Sequence, residues 1–111
     1  MPDTHAKQWA VQRRFPRFQA DQRLVIKMSG ETYHGRTRDV SEGGLGATVA
    51  GEIPMGTFVE LELMLPGSND LLRLHSEVRY RQGFQYGFRF LHPTDKQVEI
   101  IRRAIRQLQP V

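Results

Sequence analysis

Two short clusters in this sequence combine side chains that could bind a planar ligand carrying several charges. The first, at residues 13–17, has the spacing R-x-x-x-R, and the second, at residues 39–44, has the spacing D-x-S-x-x-G. Arginine guanidinium groups form paired hydrogen bonds with phosphates and stack on bases, and a carboxylate accepts hydrogen bonds from a base edge. The candidate ligand-binding residues are Arg13, Arg14 and Arg17 in the first cluster and Asp39, Ser41 and Gly44 in the second.

Each cluster also has a plainer interpretation. The side chains of Asp39 and Ser41 could form an Asx or Ser turn that caps the backbone amides of their own loop. The spacing R-x-x-x-R is common by chance. Gly43, Gly44 and Gly46 are expected to allow close backbone approach and to adopt positive φ. The two motifs in this order, with a predicted hairpin between them, are more specific than either motif alone.

Short alternating segments separated by turn residues predict the elements that position these clusters. The predicted strands are 22–28, 31–38, 45–49, 57–65, 71–81 and 84–91. Ser29-Gly30 is a two-residue hairpin signal, and the strand that follows it delivers Asp39 to a loop. Consecutive short strands with one apolar face favour antiparallel pairing and closure. The expected fold class is therefore mainly β, a six-stranded antiparallel β-barrel.

A helical pattern replaces the strand pattern near the end of the chain. Thr94 followed by Gln97 is a capping-box signature, and an apolar stripe recurs at helical spacing after it. The sequence predicts a C-terminal helix at about 94–108, packed on the barrel. Residues 1–12 have no strong periodicity and are interpreted as a flexible N-terminal arm, and residues 13–111 as the domain.

Composition narrows the class of protein. The chain has 111 residues, which indicates one domain, and a net charge of +4, which favours anionic partners. Cysteine is absent, so disulfides and thiolate metal sites are excluded. No apolar run is long enough to span a membrane, and a cytoplasmic location is expected. Met1 and the ends of the sequence favour a natural single-domain protein, and the late arginines at 102, 103 and 106 are interpreted as a solvated helix face.

The motifs of common enzyme classes are missing. The four histidines are scattered without metal-ligand spacing, so no metal site is expected. Ser41 lacks the G-x-S-x-G context of a nucleophile, and Asp39 is too close to it in the loop to complete a triad. Neither glycine-rich phosphate-binding fingerprint occurs. The chain is therefore not expected to be an enzyme.

Taken together, the two clusters, the barrel pattern and the terminal helix resemble the PilZ domain family, bacterial receptors for the second messenger cyclic di-GMP. The resemblance covers about residues 9–108. It implies that Arg13 and Arg17 hold phosphates and contact guanine, with Arg14 adding a phosphate contact. It also implies that Asp39 accepts hydrogen bonds from guanine N1–H and N2–H₂. Ser41 is then a further hydrogen-bond partner of the ligand, and Gly44 keeps the loop tight.

The resemblance further implies a cyclic di-GMP-binding regulatory module with no other cofactor. Ligand would change the order of the N-terminal arm and the surface around it, and thereby control a downstream protein partner. Gln12 stands where some members have a third basic residue, so one ligand or an intercalated pair both remain open. Tyr80 falls where some members place an aromatic beside the ligand, although its strand parity indicates the core.

The sequence leaves two alternatives open. The chain could be a small basic β-barrel that binds RNA or single-stranded DNA, although the strand pattern shows no exposed aromatics for base stacking and nucleic acid is the less favoured partner. It could also be a protein-interaction domain that keeps the motifs without a ligand.

Overall fold

The computed structural model describes residues 15–111, which form seven β-strands and one α-helix. The elements are β1 (Phe18–Gln19), β2 (Arg23–Met28), β3 (Glu31–Val40), β4 (Gly44–Val49), β5 (Phe58–Leu63), β6 (Leu72–Gln82), β7 (Gln85–Phe90) and α1 (Asp95–Ile105). The predicted arm at 1–12 and the candidate residues Arg13 and Arg14 lie outside the described residues.

Six of the strands form a closed antiparallel barrel. The order is β3-β2-β5-β6-β7-β4, and β4 returns to pair with β3. The predicted six-stranded antiparallel barrel is therefore confirmed. β1 is an additional outer strand that pairs with β3, with Phe18 opposite Val40 and Gln19 opposite Asp39. Two residues are too few to show an alternating pattern, so β1 could not be predicted from the sequence.

The barrel interior is filled by alternate apolar residues of its strands, and Tyr86 is the largest of its fully buried side chains. The hydroxyl of Tyr86 accepts a hydrogen bond from the backbone N of Ile53 at 2.9 Å and donates one to the carbonyl of Gly51 at 2.8 Å. A buried phenol usually finds such partners, because an unpaired one is costly. Tyr86 thereby fixes the loop after β4 against the barrel.

Two irregularities change which side chains face outward. β3 continues to Val40 and has a register shift between Thr37 and Asp39, so Asp39 lies on a strand and not in the loop that the sequence predicted. β6 has a similar shift between Val78 and Tyr80. A bulge adds one residue to a strand and reverses its alternation. Tyr80 is consequently exposed, and its assignment to the core from parity was wrong.

The turn after β6 also differs from the sequence prediction. Phe84 belongs to the turn between β6 and β7 and is 65% exposed, so it does not share the buried face of Tyr86. Contrary to the expectation from the strand pattern, exposed aromatic side chains do exist within residues 15–111. Phe58, Tyr80 and Phe84 lie on the barrel or its turns, and Phe15 lies before β1.

The helix begins as predicted and ends earlier. Thr94 Oγ1 accepts from the backbone N of Gln97 at 3.1 Å, and Gln97 Oε1 accepts from the backbone N of Thr94 at 3.0 Å, which confirms the capping box. α1 ends at Ile105 because Gln107 and Leu108 donate to carbonyls three residues back, in tighter turns. Ile100, Ile101 and Ala104 are the buried residues of α1 and join the hydrophobic core. Within residues 15–111, no helix is both long and apolar enough to cross a membrane.

Candidate functional site

The loop between β3 and β4 is a Ser turn. Ser41 Oγ accepts from the backbone N of Gly43 and of Gly44, each at 3.2 Å, and the backbone N of Ser41 donates to the carbonyl of Gly44 at 2.8 Å. The plainer interpretation of the motif serine therefore holds for its local bonding. The carbonyl of Gly43 accepts from the backbone N of Phe90 at 2.9 Å, which attaches the loop to β7.

The glycines of this region provide close contact. A Cβ at Gly44 would lie 2.1 Å from the carbonyl oxygen of Phe88. A Cβ at Gly46 would lie 2.6 Å from Arg38 Nη2 and 3.1 Å from both carboxylate oxygens of Asp39. Neither of these glycines has a positive φ, so that part of the expectation was wrong: both lie in extended β4 backbone. The expected close approach is confirmed.

Asp39 has a buried carboxylate oxygen with an open bonding position. Its neighbours across the strands are Gln19 and Gly46, and its side chain is 13% exposed. Within residues 15–111, no group donates a hydrogen bond to Asp39 Oδ1, although that atom is buried. A buried acceptor without a donor costs free energy, and a carboxylate costs more than a neutral group. Asp39 Oδ1 is therefore available to a donor from outside the described fold.

The two sequence clusters come together at Arg17 and Phe15. Arg17 Nη1 lies 3.9 Å from Asp39 Oδ2. The ring of Phe15 lies over Gly43, where an added Cβ would be 2.9 Å from the ring carbon Cδ2. The described part of the first cluster is thus in contact with the second cluster. Arg13 and Arg14 lie outside the described residues.

A groove of about 670 Å³ opens beside this contact. Its lining includes Arg17, Ser41 and Gly44 of the motifs together with Arg79 and Arg89, and no acidic residue is among the described residues that line it. The groove therefore favours an anionic occupant of the size that small-molecule sites accept. Asp39 does not line the groove. Arg17 lines the groove and also lies 3.9 Å from Asp39, so Arg17 connects the carboxylate with the groove.

Arg79 and Arg89 were missed by the sequence analysis. Arg89 alternates with the inward residues of β7, so its outward direction could have been deduced from the sequence. Its position opposite Gly44 could not, because it depends on the pairing of β4 with β7. Arg79 lies at the β6 bulge. Glu77 Oε1 lies 3.7 Å from Arg79 Nη1 and 3.8 Å from Arg89 Nη2.

The late arginines are exposed, as predicted, and one of them contacts the loop. Arg102 Nε lies 2.8 Å from Glu42 Oε1 and so connects α1 to the Ser turn. Arg103 pairs with Glu99 within the helix at 3.0 Å. In the range 15–111, the structure contains no cluster of three or more histidine, aspartate or glutamate side chains that could hold a metal ion.

The sequence matches the model of the PilZ domain over residues 11–107. The chain belongs to the PilZ domain family. This match spans both motifs, the whole barrel and α1, so the PilZ resemblance in the sequence is confirmed. A comparison with curated proteins found no significant match.

Solved structures share the fold. The PilZ domain with c-di-GMP of YcgR from Escherichia coli is 22% identical, with a TM-score of 0.71 over 87% of this chain and 91% of that one. The Bacillus subtilis inhibitor of motility MotI/DgrA is 16% identical, with a TM-score of 0.73 over 86% of this chain. This PilZ domain corresponds to 50% of the MotI chain. The PilZ domain of CeSA from a cellulose-synthesising bacterium is 18% identical, with a TM-score of 0.65 over 82% of this chain and 95% of that one.

Proposed function

We propose that this PilZ domain is a receptor for cyclic di-GMP and has no catalytic role of its own. The observation that carries the proposal is the Asp39 carboxylate, whose Oδ1 is buried and accepts from no donor within residues 15–111. Guanine offers two donors on one edge, N1–H and N2–H₂, which suit a carboxylate, whereas adenine lacks that pair. The solved PilZ domain of YcgR, which has the same fold, is a complex with c-di-GMP.

The charge around Asp39 suits the rest of this ligand. Cyclic di-GMP carries two phosphates, and Arg17, Arg79 and Arg89 line the adjacent groove. Arginine binds phosphate through paired, charge-assisted hydrogen bonds and can stack on guanine. Arg17 lies within 3.9 Å of Asp39, so one ligand could contact both. Arg13 and Arg14 are proposed as further phosphate or guanine contacts.

The other motif residues have more local roles in this proposal. Gly44 keeps β4 close to β7, which places the loop at the groove. Ser41 lines the groove and is proposed to hydrogen-bond the ligand while its hydroxyl also holds the turn. The hydroxyl of Ser41 accepts from the backbone N of Gly43 and of Gly44 and donates to the carbonyl of Gly44 at 3.2 Å. A hydroxyl has one donor and two acceptor positions, so a hydrogen bond from Ser41 to the ligand would replace its donation to Gly44.

We further propose that the domain acts as a regulatory module. Ligand would change the order of the N-terminal arm, place Arg13 with Arg17 over Asp39, and alter the surface that a downstream protein recognises. A ligand can shift such an equilibrium only by its difference in affinity for the two states. MotI is named as an inhibitor of motility, which supports a regulatory role for this fold.

A second groove supports oligonucleotide binding as the other candidate. It has a volume of about 1150 Å³ and is lined by Arg23, Arg36 and Arg38. Unlike the first groove, its lining includes an acid, Asp21, whose Oδ1 lies 2.7 Å from Arg36 Nε, and Arg38 Nη1 donates to Gln85. The described lining contains no phenylalanine, tyrosine or tryptophan on which a base could stack. This candidate is therefore weaker than the cyclic di-GMP proposal.

Calorimetric titration of the chain with cyclic di-GMP tests the proposal, with cyclic di-AMP, GTP and a single-stranded oligonucleotide as comparison ligands. We expect selective binding of cyclic di-GMP, and the molar ratio distinguishes one ligand from an intercalated pair. Asp39→Ala should weaken cyclic di-GMP binding by about 10- to 100-fold, the effect of losing charge-assisted hydrogen bonds, and should reduce the preference over cyclic di-AMP.

Asp70→Ala is the matched control, because Asp70 is an exposed acid in the turn between β5 and β6. It should leave the titration unchanged. Absence of both heat and thermal shift with cyclic di-GMP would refute the receptor proposal. Salt-dependent binding of oligonucleotides alone would favour the second candidate. Equal loss of every ligand by Asp39→Ala would mean that Asp39 supports the loop and does not select guanine.

A further inference from the structure

The segment after α1, Gln109–Val111, runs beside the segment that contains Arg17. The backbone N of Val111 donates to the carbonyl of Arg17 at 2.9 Å, and the backbone N of Gln19 donates to the carbonyl of Gln109 at 2.7 Å. Phe18 and Pro110 form an antiparallel bridge between these two hydrogen bonds. We call Gln109–Val111 the C-terminal segment.

The other side of the Arg17 segment pairs with the barrel. Phe18 and Gln19 of β1 lie opposite Val40 and Asp39 of β3, and the backbone N of Ala20 donates to the carbonyl of Arg38 at 3.0 Å. β1 is therefore held between β3 on one side and the C-terminal segment on the other. A two-residue strand has few hydrogen bonds of its own, so each flanking partner contributes a large share of its order.

The C-terminal segment also has a fixed starting point. Ile101 and Ala104 of α1 are buried in the core, and Leu108 packs against it. The segment therefore leaves the barrel at a defined position, and its pairing with Arg17 connects the packed helix to the candidate ligand site.

We propose that the C-terminal segment is a positioning element for Arg17, which it holds where the guanidinium reaches Asp39, and that its release lowers affinity for the ligand. This inference rests on the proposed function. If the segment that contains Arg17 were unpaired, ordering it at the moment of binding would cost conformational entropy. A segment that is already paired has lost this entropy before the ligand binds. The apparent affinity then falls with the fraction of molecules in which Arg17 is in place.

The coupling works in both directions. If pairing of the C-terminal segment strengthens ligand binding, bound ligand must stabilise that pairing by the same factor. A partner that captured the C-terminal segment in another conformation would therefore weaken ligand binding, and ligand would oppose capture of the segment. The C-terminal segment would in this way couple the candidate site to the protein surface. All the residues of this coupling lie within the described range 15–111.

Two variants and one control test the proposal. Val111→Pro removes the N–H that donates to Arg17, and Val111→Ala keeps it. A chain that ends at Leu108 lacks both hydrogen bonds. We expect calorimetry with cyclic di-GMP to show an affinity loss of about fivefold for Val111→Pro and about tenfold or more for the shortened chain, with no change for Val111→Ala. Unchanged affinity in the shortened chain would overturn the coupling.

Backbone order parameters measured without ligand test the positioning role independently of the proposed function. In the shortened chain, the backbone ¹⁵N order parameters of Arg17 and Phe18 should fall from about 0.85, the value of rigid backbone, to below about 0.6, while that of Ile26 in β2 stays high. If the wild-type chain bound no cyclic di-GMP, the proposed function would fail, and these order parameters would decide the positioning role alone. Order parameters that stayed high in the shortened chain would overturn it.

Discussion

Arg17 and Asp39 are opposite charges 3.9 Å apart, and Arg17 lies on the side of the pair that faces the groove. Arg17→Ala should lower the affinity for cyclic di-GMP by about 10- to 100-fold, because charge-assisted hydrogen bonds to phosphate are lost. The fold should be retained, since alanine keeps the carbonyl that pairs with Val111. Calorimetry measures the affinity, and thermal unfolding followed by circular dichroism checks the fold.

Arg106→Ala is the control for net charge, because it removes the same charge from an exposed position at the end of α1. It should bind as the wild-type chain does. An equal loss in both variants would mean that long-range attraction of the anion, and not contact at Arg17, is responsible for the effect.

Gly44 and Gly46 have the same residue type, lie two residues apart on β4 and differ in what surrounds them. Gly44→Ala brings a Cβ to 2.1 Å from a backbone oxygen of β7, so the two strands must separate. We expect a loss of about 2–3 kcal/mol in the free energy of unfolding, seen as a lower Tm. In Gly46→Ala the new Cβ would lie 2.6 Å from Nη2 of Arg38. This atom is at the end of a flexible side chain, which can move away.

The expected contrast is therefore that Gly44→Ala mainly lowers stability and Gly46→Ala mainly lowers ligand affinity. The latter effect arises because the Asp39 carboxylate lies 3.1 Å from the position of the new Cβ. Chemical denaturation and calorimetry on both variants measure the two quantities. A Gly46→Ala variant that lost as much stability as Gly44→Ala would contradict this assignment.

Motif spacing was sufficient to predict the turn at Ser41 and the close approach at Gly44. It was not sufficient for Tyr80, because a β-bulge reverses the alternation after Val78 and no residue type in that stretch marks it. The role of Gly46 beneath Asp39 was also inaccessible, since it follows from pairing between β3 and β4. Hydrogen bonding within a turn depends on residues that are adjacent in the sequence, whereas these contacts depend on the register between strands.

Among the elements, α1 offers a clear test because its first turn is closed by side chains. Thr94→Ala removes the hydroxyl that accepts from the backbone N of Gln97 at 3.1 Å. We expect a loss of about 1 kcal/mol in the free energy of unfolding, which corresponds to a decrease in Tm of a few degrees. Thr94→Ser keeps the hydroxyl and should retain most of the stability. Equal losses in both variants would assign the effect to packing of the threonine methyl group.

The strands with strong alternation were predicted close to their observed positions, because one face of each is buried in the barrel. β5 and β6 show this best, with Leu61 and Leu74 opposite each other and both buried. β1 could not be predicted in the same way. β1 forms because its backbone pairs with β3 on one side and with the C-terminal segment on the other. Backbone pairing of this kind does not require a recognisable pattern of side chains.

For the whole molecule, barrel closure is what assembles the candidate site. Pairing of β3 with β4 puts Asp39 over Gly46, and pairing of β4 with β7 puts Gly44 opposite Arg89. Alternation along each strand predicts which residues face inward but contains no information on which strands are neighbours. The sequence therefore indicated a closed barrel and its motif residues, and the arginines that complete the groove became evident only from the strand order.

Glu62 links three neighbouring strands of the barrel. Its Oε2 lies 3.1 Å from Lys27 Nζ of β2 and 3.0 Å from Arg73 Nε of β6. The hydrogen bonds to Lys27 and Arg73 hold the pKa of Glu62 below its ordinary value of 4.5. A carboxyl group whose pKa is lower in the folded state stabilises the protein above the unfolded-state pKa, and this stabilisation is lost as the pH falls through the folded-state pKa.

We therefore expect Glu62→Gln to lower Tm at pH 7 and low salt, and to have a progressively smaller effect as the pH falls below 4.5 and through the lowered folded-state pKa of Glu62, because the wild-type carboxyl group then also becomes protonated. The effect should shrink at about 1 M salt, because the ion pairs lie at the barrel surface. Glu60→Gln is the control: Glu60 lies on the same face of β5 and has no ion pair within residues 15–111. Thermal unfolding across pH measures both variants. A Glu62→Gln deficit in Tm that did not shrink as the pH was lowered to the acid limit of the folded state would show that Glu62 contributes by its shape and not by its charge.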